Sequence, residues 1–241
     1  MAGTQLTGLG LQRTGRSGRL LAPGCAANMP PMKLYNMHHA TNPKRVRIYL
    51  AEKGIDVPMV DIDIMTGENR APDYLKVNPR GTLPALVLDD GTVIDESIAI
   101  CRYFEALNPD PPLFGTGALA QARVEQWQRR VELDGFFNVA AVFRNTAPQF
   151  ATRAAPGAAP DTKQIPDLAE RGMALLPGFF RLVDAQLAEH EYIAGEAFSI
   201  ADITLFCTIG FARWVKIGIP EDAPNLARWN AAFLERKSAK A

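Results

Sequence analysis

Two short stretches hold residues whose types and spacing suggest chemistry. Both lie in "RGTLPALVLDDGTVIDESIAICR", residues 80–102. Leu83-Pro84 opens the apolar run "ALVL", where a strand is expected and a proline removes a ladder donor. A cis X–Pro bond there would turn the N–H and C=O of Leu83 outward, so that an extended peptide could pair with them as an added strand. The bland alternative is a trans proline at the start of a strand. In Asp95-Glu96-Ser97, strand gives way to helix. The first amides of a helix are unpaired and sit at the positive end of its dipole, which suits a carboxylate. Ser97 adds a hydroxyl donor and Glu96 an acceptor for an ammonium group. Together they would hold an α-amino-acid head group, which has one charge of each sign. Alternatively, Ser97 only caps the helix and Glu96 only complements its dipole.

A second set lies upstream in "NMHHATNPKRVRI", residues 36–48. Thr41 and Asn42 stand just before Pro43, a residue suited to the first position of a helix, so Asn42 is also a candidate N-cap. His38 and His39 are adjacent, so on a strand end their side chains diverge, and no carboxylate partner is evident; this is a weak pattern for a base or a metal. The three cysteines, Cys25, Cys101 and Cys207, form no CxxC and no metal-ligand spacing, which argues against a dithiol site, a zinc site and a disulfide scaffold. Cys101 reads as a core residue.

The elements that must position these groups follow a regular order. "MKLYNM" reads as a strand, "PKRVRIYLAEKGI" as a helix with Val46, Tyr49 and Leu50 on one face and Gly54 at its end, and "VPMVDIDI" as a strand. "APDYLKVNPRG" is turn-rich with room for one helical turn. A hairpin turns at Asp89-Asp90-Gly91, and a helix runs from about Glu96 to Leu107. This βαβ-(α)-ββα order predicts a small α/β domain over 32–107. "NPDPPLFGTG" (108–117) reads as a linker, and residues 118–241 show only helical patterns. Those are a long helix over Ala118–Thr146, a loop, a helix over Asp167–His190 that Pro177 should kink or interrupt, a buried helix in "SIADITLFCTIGFARWVKIG", and a closing helix in "NLARWNAAFLERKSA".

Bulk composition narrows the function. The chain is 47% hydrophobic and 22% charged, with 26 basic and 26 acidic residues, so neither a nucleic-acid footprint nor a polybasic membrane surface is indicated. No apolar run approaches the roughly 20 residues needed to span a bilayer. A cytoplasmic protein is expected. Residues 1–31 contain Arg13, Arg16 and Arg19 and no acidic residue, and read as a flexible extension. An organelle transit peptide is one reading. A start assigned upstream of Met32 or Met29 fits better, because an amphipathic face is missing.

"NPRGTLPALVLDDGTVIDESIAICRYFE" (78–105) resembles the glutathione-site signature of the cytosolic glutathione S-transferase superfamily, in NPxGxLPxL, the hairpin and ESxAI. "YIAGEAFSIADITLFCTI" (192–209) is similar to that family's helix-6 segment, with Ser199-x-x-Asp202 as a capping box and Phe198 as its staple residue. The resemblance implies a thioredoxin-like N-terminal domain, an all-α helical C-terminal domain and a homodimer. It implies glutathione as co-substrate, with no metal. Leu83 beside cis-Pro84 would bind the cysteinyl backbone, and Glu96 and Ser97 the γ-glutamyl group. Arg80 or Lys44 would suit the glycyl carboxylate by charge, the alternative for each being an ordinary solvated side chain.

The chemistry implied is activation of a thiol whose ordinary pKa is about 8.5. Where related enzymes often have a catalytic serine, this chain has Ala40, and Tyr35 falls too early to replace it. In bacterial, Nu-like members an asparagine meets the thiol, and Asn42 stands in that register, with Thr41 as the second candidate. The second substrate would be a hydrophobic electrophile or a disulfide, bound between the domains near Phe136, Phe137, Phe143, Arg144 and Trp214, although aromatic residues at helical spacing read equally as core. The activity implied is glutathione transfer. A glutathione-dependent disulfide or peroxide reductase and a non-catalytic binding module are the alternatives.

Overall fold

The computed structural model describes residues 31–241; the reading of the N-terminal extension falls on residues 1–30, outside this range. Strands β1 (Lys33–Asn36), β2 (Met59–Asp61), β3 (Ala85–Val87) and β4 (Val93–Asp95) form one sheet in the order β2-β1-β3-β4. β1 runs parallel to β2 and antiparallel to β3, and β4 is antiparallel to β3. The parallel pair is joined through helix α1 (Thr41–Lys53), and the antiparallel pair by the expected turn, closed by Gly91 N–H donating to Leu88 O at 2.9 Å. Helix α2 (Pro72–Val77) is the single turn anticipated in "APDYLKV", and α3 (Ser97–Leu107) follows β4 directly. The rest is helical: α4 (Gly117–Arg130), α5 (Phe137–Thr146), α6 (Pro166–Glu189), α7 (Ile200–Trp214) and α8 (Pro224–Leu234). A thioredoxin-like sheet unit is thus followed by an all-helical one.

Strand alternation divides the core. Leu34 and Leu86 face an apolar cluster continuous with Trp127, Val131, Leu176 and Leu205 of the helices. Tyr35, Ala85 and Val87 face a smaller cluster that includes Tyr74 and Leu83. Helix α1 is buried well beyond the Val46-Tyr49-Leu50 face, since Arg45, Arg47 and Ile48 are enclosed too. It ends as expected at Gly54, whose φ of 64° suits glycine, with the N–H groups of Gly54 and Ile55 closing back on Ala51 O and Leu50 O.

Two helices depart from expectation. The helix from Gly117 to Thr146 is continuous but contains a π-turn at Val131–Phe136. Helix α6 runs through Pro177 without interruption. A mid-helix proline costs about 3 kcal/mol. Leu176, Phe179, Phe180 and Val183 are nearly inaccessible, and at roughly 2 kcal/mol for each buried apolar side chain they outweigh it.

The capping box that starts α7 is formed as read. Asp202 is fully buried and accepts hydrogen bonds from Ser199 N (3.0 Å), Ser199 Oγ (2.8 Å), Ile193 N (3.0 Å) and Trp229 Nε1 (3.2 Å). Phe198 packs on Tyr192 and Phe233. Asp202→Ala leaves these donors without their acceptor, and the unfolding free energy from urea titration should fall by about 3–5 kcal/mol. Burial pushes the Asp202 carboxyl up to about 6, against the pull of its four donors. Because that lies above the unfolded value of about 3.9, the titration contributes stability that is complete below pH ~4 and lost as pH rises through ~6. The stability difference between the wild type and Asp202→Asn should therefore fall across that window; a flat difference would remove the assignment.

Candidate functional site

The pairing of Tyr35 with Ala85 and of Ala85 with Asp95 brings three chain segments to one end of the sheet. These are the turn leaving β1 toward α1, the residues entering β3, and the residues leaving β4. His38 to Asn42, Leu83-Pro84 and Glu96-Ser97 are therefore neighbours by topology.

The segment entering β3 is held from both sides. Tyr74 Oη donates to Thr82 O (2.6 Å), Asn69 Nδ2 to Gly81 O (2.8 Å), and Ala158 N to Arg80 O (2.7 Å). Gly157 makes the last contact possible: at φ 68° it lies so close that a Cβ would stand 2.1 Å from Arg80 O. These bonds stop at Leu83. The Leu83-Pro84 peptide is cis, Leu83 is 7% exposed, and its N–H and C=O make no hydrogen bond among the described residues.

Glu96 is the N-cap of α3 at φ 65°, in the left-handed region that non-glycine residues rarely occupy, and its side chain does not cap the helix. Its Oε1 instead accepts from Arg80 Nη1 at 2.6 Å. Arg80 thus forms an exposed ion pair with Glu96, with Asp95 also within 3.5 Å. Ser97 is the first residue of α3, 5% exposed, and its hydroxyl makes no hydrogen bond among the described residues. The capping role considered for Ser97 is not the one observed.

Helix α1 begins earlier than Pro43 implies. Ala40 is the N-cap, with its carbonyl accepting from Lys44 N at 3.0 Å, so Thr41 and Asn42 are the first two helical residues. Asn42 is therefore not the cap. With alanine at that place no side chain satisfies the first turn, and the amides of Thr41 and Asn42 are unbonded among the described residues. The preceding turn is braced by Arg47, which sequence reasoning missed. Buried to 6% exposure, it donates to Asn36 Oδ1 and His38 O, both at 2.6 Å. Burial lowers its pKa, opposed by Cys207 and Asp61.

Beside α1 opens a cavity of about 370 Å³ between the β1–α1 turn, α7, α8 and the chain's last residues. Thr41 lines it with His38 and His39; Asn42, Leu83, Pro84, Glu96 and Ser97 do not. The two histidine rings meet edge to face at 5.1 Å, with no carboxylate partner among the described residues. Cys207 is also in the wall, its thiol pushed up to about 11 by burial despite Arg45, Lys44 and Arg47 nearby. It remains protonated at neutral pH and is no nucleophile.

The expected aromatic surface on α4–α5 is largely used elsewhere. Phe136 is core, Arg144 donates to Ala154 O and Ala155 O, and Phe143 packs on Phe150, Phe211 and Trp214. Of that group only Trp214 lines the cavity. Among the described residues, no three His, Cys, Asp or Glu side chains are grouped to hold a metal, and no helix is long and apolar enough to cross a membrane.

The glutathione S-transferase N-terminal domain model matches residues 41–107, and the C-terminal domain model matches 166–232. Glutathione S-transferase 2 of Saccharomyces cerevisiae is 35% identical over 215 residues, 87% of this chain and 88% of the relative. The chain belongs to the glutathione S-transferase superfamily. The crystal structure of Gtt2 from Saccharomyces cerevisiae superposes with a TM-score of 0.79 at 33% identity, covering 86% of this chain and 98% of that one. Elongation factor 1-gamma 1 of Oryza sativa subsp. japonica, also similar, is 32% identical over 178 residues, 73% of this chain and 40% of that protein.

Within this family member, Arg47 is what holds the β1–α1 turn. Arg47→Lys loses the two-pronged grip on Asn36 and His38, and amide hydrogen exchange over 37–42 should rise by about tenfold or more, the equivalent of one or two charge-assisted hydrogen bonds. Unchanged exchange would show that the turn is held by other contacts.

Proposed function

We propose that the chain is a glutathione transferase. One observation carries the reading: at a single end of the sheet, the backbone of Leu83 and the hydroxyl of Ser97, both residues buried, make no hydrogen bond among the described residues, while the carbonyls of residues 80–82 just before Leu83 are all bonded. Buried polar groups are rarely unpaired, and a γ-glutamyl-cysteinyl peptide supplies what these lack. Its cysteinyl amide pairs with Leu83 next to Pro84. Its α-carboxylate meets Ser97 and the first amides of α3, and its ammonium meets Glu96 Oε2, the oxygen Arg80 leaves free.

This pose directs the thiol toward the start of α1. The unbonded amides of Thr41 and Asn42, the helix dipole and the Thr41 hydroxyl all favour the anion and lower the thiol pKa. Asn42 stands first by its Nu-like register, but Thr41 lines the cavity and Asn42 does not, so we place Thr41 ahead of it. The thiolate sulfur attacks an electrophilic carbon in the cavity. The C–S bond forms, the leaving group departs with its electron pair, and the thiol proton passes to solvent. The family's habits also suggest a homodimer, a cytoplasmic location and a role in detoxification.

Ala40, in the place of the usual serine, favours a second reading as a glutathione-dependent disulfide or peroxide reductase. The similarity to elongation factor 1-gamma supports a third, a non-catalytic module. Calorimetric titration with glutathione, then turnover of a chlorodinitrobenzene against a mixed glutathione disulfide, separates the three. Absence of glutathione binding would reject both enzyme readings.

Two variants test the residue roles. Ser97→Ala should raise the dissociation constant for glutathione about tenfold, as loss of one hydrogen bond to a charged group does, with kcat little changed. Thr41→Val should raise the pKa of bound glutathione, read from its ultraviolet thiolate absorbance, by about one unit. If Asn42→Ala gives the larger shift instead, the thiol contact is Asn42.

A further inference from the structure

We propose that the cavity beside α1 takes a ligand combining an aromatic ring with a carboxylate, rather than a purely apolar electrophile. The wall includes four cationic side chains, Lys44, Arg47, Arg213 and Lys240, and no aspartate or glutamate; the one carboxylate in it is the α-carboxylate of the last residue, Ala241. None of the four forms an ion pair among the described residues, although eight other lysine and arginine side chains do. Residues 1–31 contain no acidic residue, so that segment has no carboxylate side chain to offer them. Over the whole chain Lys and Arg balance Asp and Glu at 26 each, so the imbalance is local to this cleft. A cleft with an excess of one sign of charge and low-dielectric walls concentrates counter-ions.

Arg47 strengthens the point. It is more than nine-tenths buried, yet its guanidinium meets only neutral acceptors, Asn36 Oδ1, Met37 O and His38 O, and its Nε has no partner. Asp61, the carboxylate that acts on it, is reached only through Asn36, whose Nδ2 donates to Asp61 Oδ1 at 2.6 Å. A buried charge so indirectly compensated is costly, and an anion in the adjacent cavity would relieve that cost. The neutral thiol of Cys207 does not. The apolar part of the wall is Phe206, Phe211 and the half-exposed Trp214, flat surfaces suited to a ring. Inorganic phosphate would use the cations and leave these unused.

Identifying the ligand as the second substrate rests on the transferase reading, but its binding does not. Dinitrobenzoate and its methyl ester, which have no leaving group, can be titrated into the full-length protein by quenching of Trp214; the other tryptophans, Trp127 and Trp229, are 5% and 4% exposed. The carboxylate should bind about tenfold or more tighter than the ester, the effect of one charge-assisted hydrogen bond. Arg213 and Lys240 are both exposed, so Arg213→Gln with Lys240→Gln should cut that preference severalfold without unfolding the protein, while Arg213→Lys retains it. Equal binding of acid and ester, or a preference left unchanged by the double substitution, would overturn the proposal. So would loss of the preference when saturating S-methylglutathione is present, because the cations would then serve the tripeptide's own carboxylates. Carboxylate preference without any glutathione-dependent turnover would sink the transferase reading and leave this one standing.

Discussion

The buried guanidinium groups of Arg45 and Arg47 fix helix α1, and with it the geometry of the site. They point to different partners. Arg45 reaches the π-turn of the helical part, bonding Glu132 at 2.6 Å and lying over the Phe136 ring at 4.2 Å. Arg47 grips Asn36 at the end of β1 and the carbonyl of His38. The helix is thereby tied at one point to the helices and at the other to the sheet. Taking one partner from a buried ion pair costs far more than the pair contributes over an apolar substitute, so such ties determine arrangement more than net stability.

The consequence is a helix whose first turn is held in place by groups other than its own cap. With alanine as N-cap, nothing in the chain bonds the amides of Thr41 and Asn42. The same pattern recurs at the other two segments. The carbonyls of residues 80–82 are bonded by Ala158, Asn69 and Tyr74, and the bonding stops at Leu83. Glu96 holds a left-handed backbone so that Ser97 begins α3 with its hydroxyl unbonded. At each segment, groups braced by their neighbours flank groups that the described residues leave unbonded. Asp202 is the opposite case, a buried carboxylate with four donors and nothing left to offer.

How legible this was depended on how local the cause is. Leu83-Pro84, the turn at Asp90-Gly91, the stop at Gly54 and the Ser199–Asp202 box are each set by a few adjacent residues, and the structure has all four. The burial of Arg45 and Arg47 was not legible. In "PKRVRIYL" they read as the polar face of an amphipathic helix, and only packing against α7 and the π-turn, far along the chain, encloses that face. Pro43 misled about the start of α1, since proline is tolerated anywhere in a first turn, where no intrahelical donor is lost. Most of the aromatics expected around a second substrate cluster in sequence on α4–α5. Phe143 and Arg144 are consumed by Phe150 and the 154–155 loop, and the open wall comes from α7 instead.

The thiol of Cys207 indicates how this site can treat two thiols differently. Arg45, Lys44 and Arg47 all favour its anion, yet burial dominates and holds it near 11. Cationic surroundings alone therefore do not make a thiolate here; desolvation in the wall outweighs them. A ligand thiol at the open end of α1 would feel the same cations and the helix dipole without full loss of water, and could accept hydrogen bonds from the free amides of Thr41 and Asn42. Activation then depends on placement at a partly hydrated helix terminus. That is why the groups that position the ligand backbone, Leu83, Glu96 and Ser97, matter as much to the thiolate as the residues that touch it.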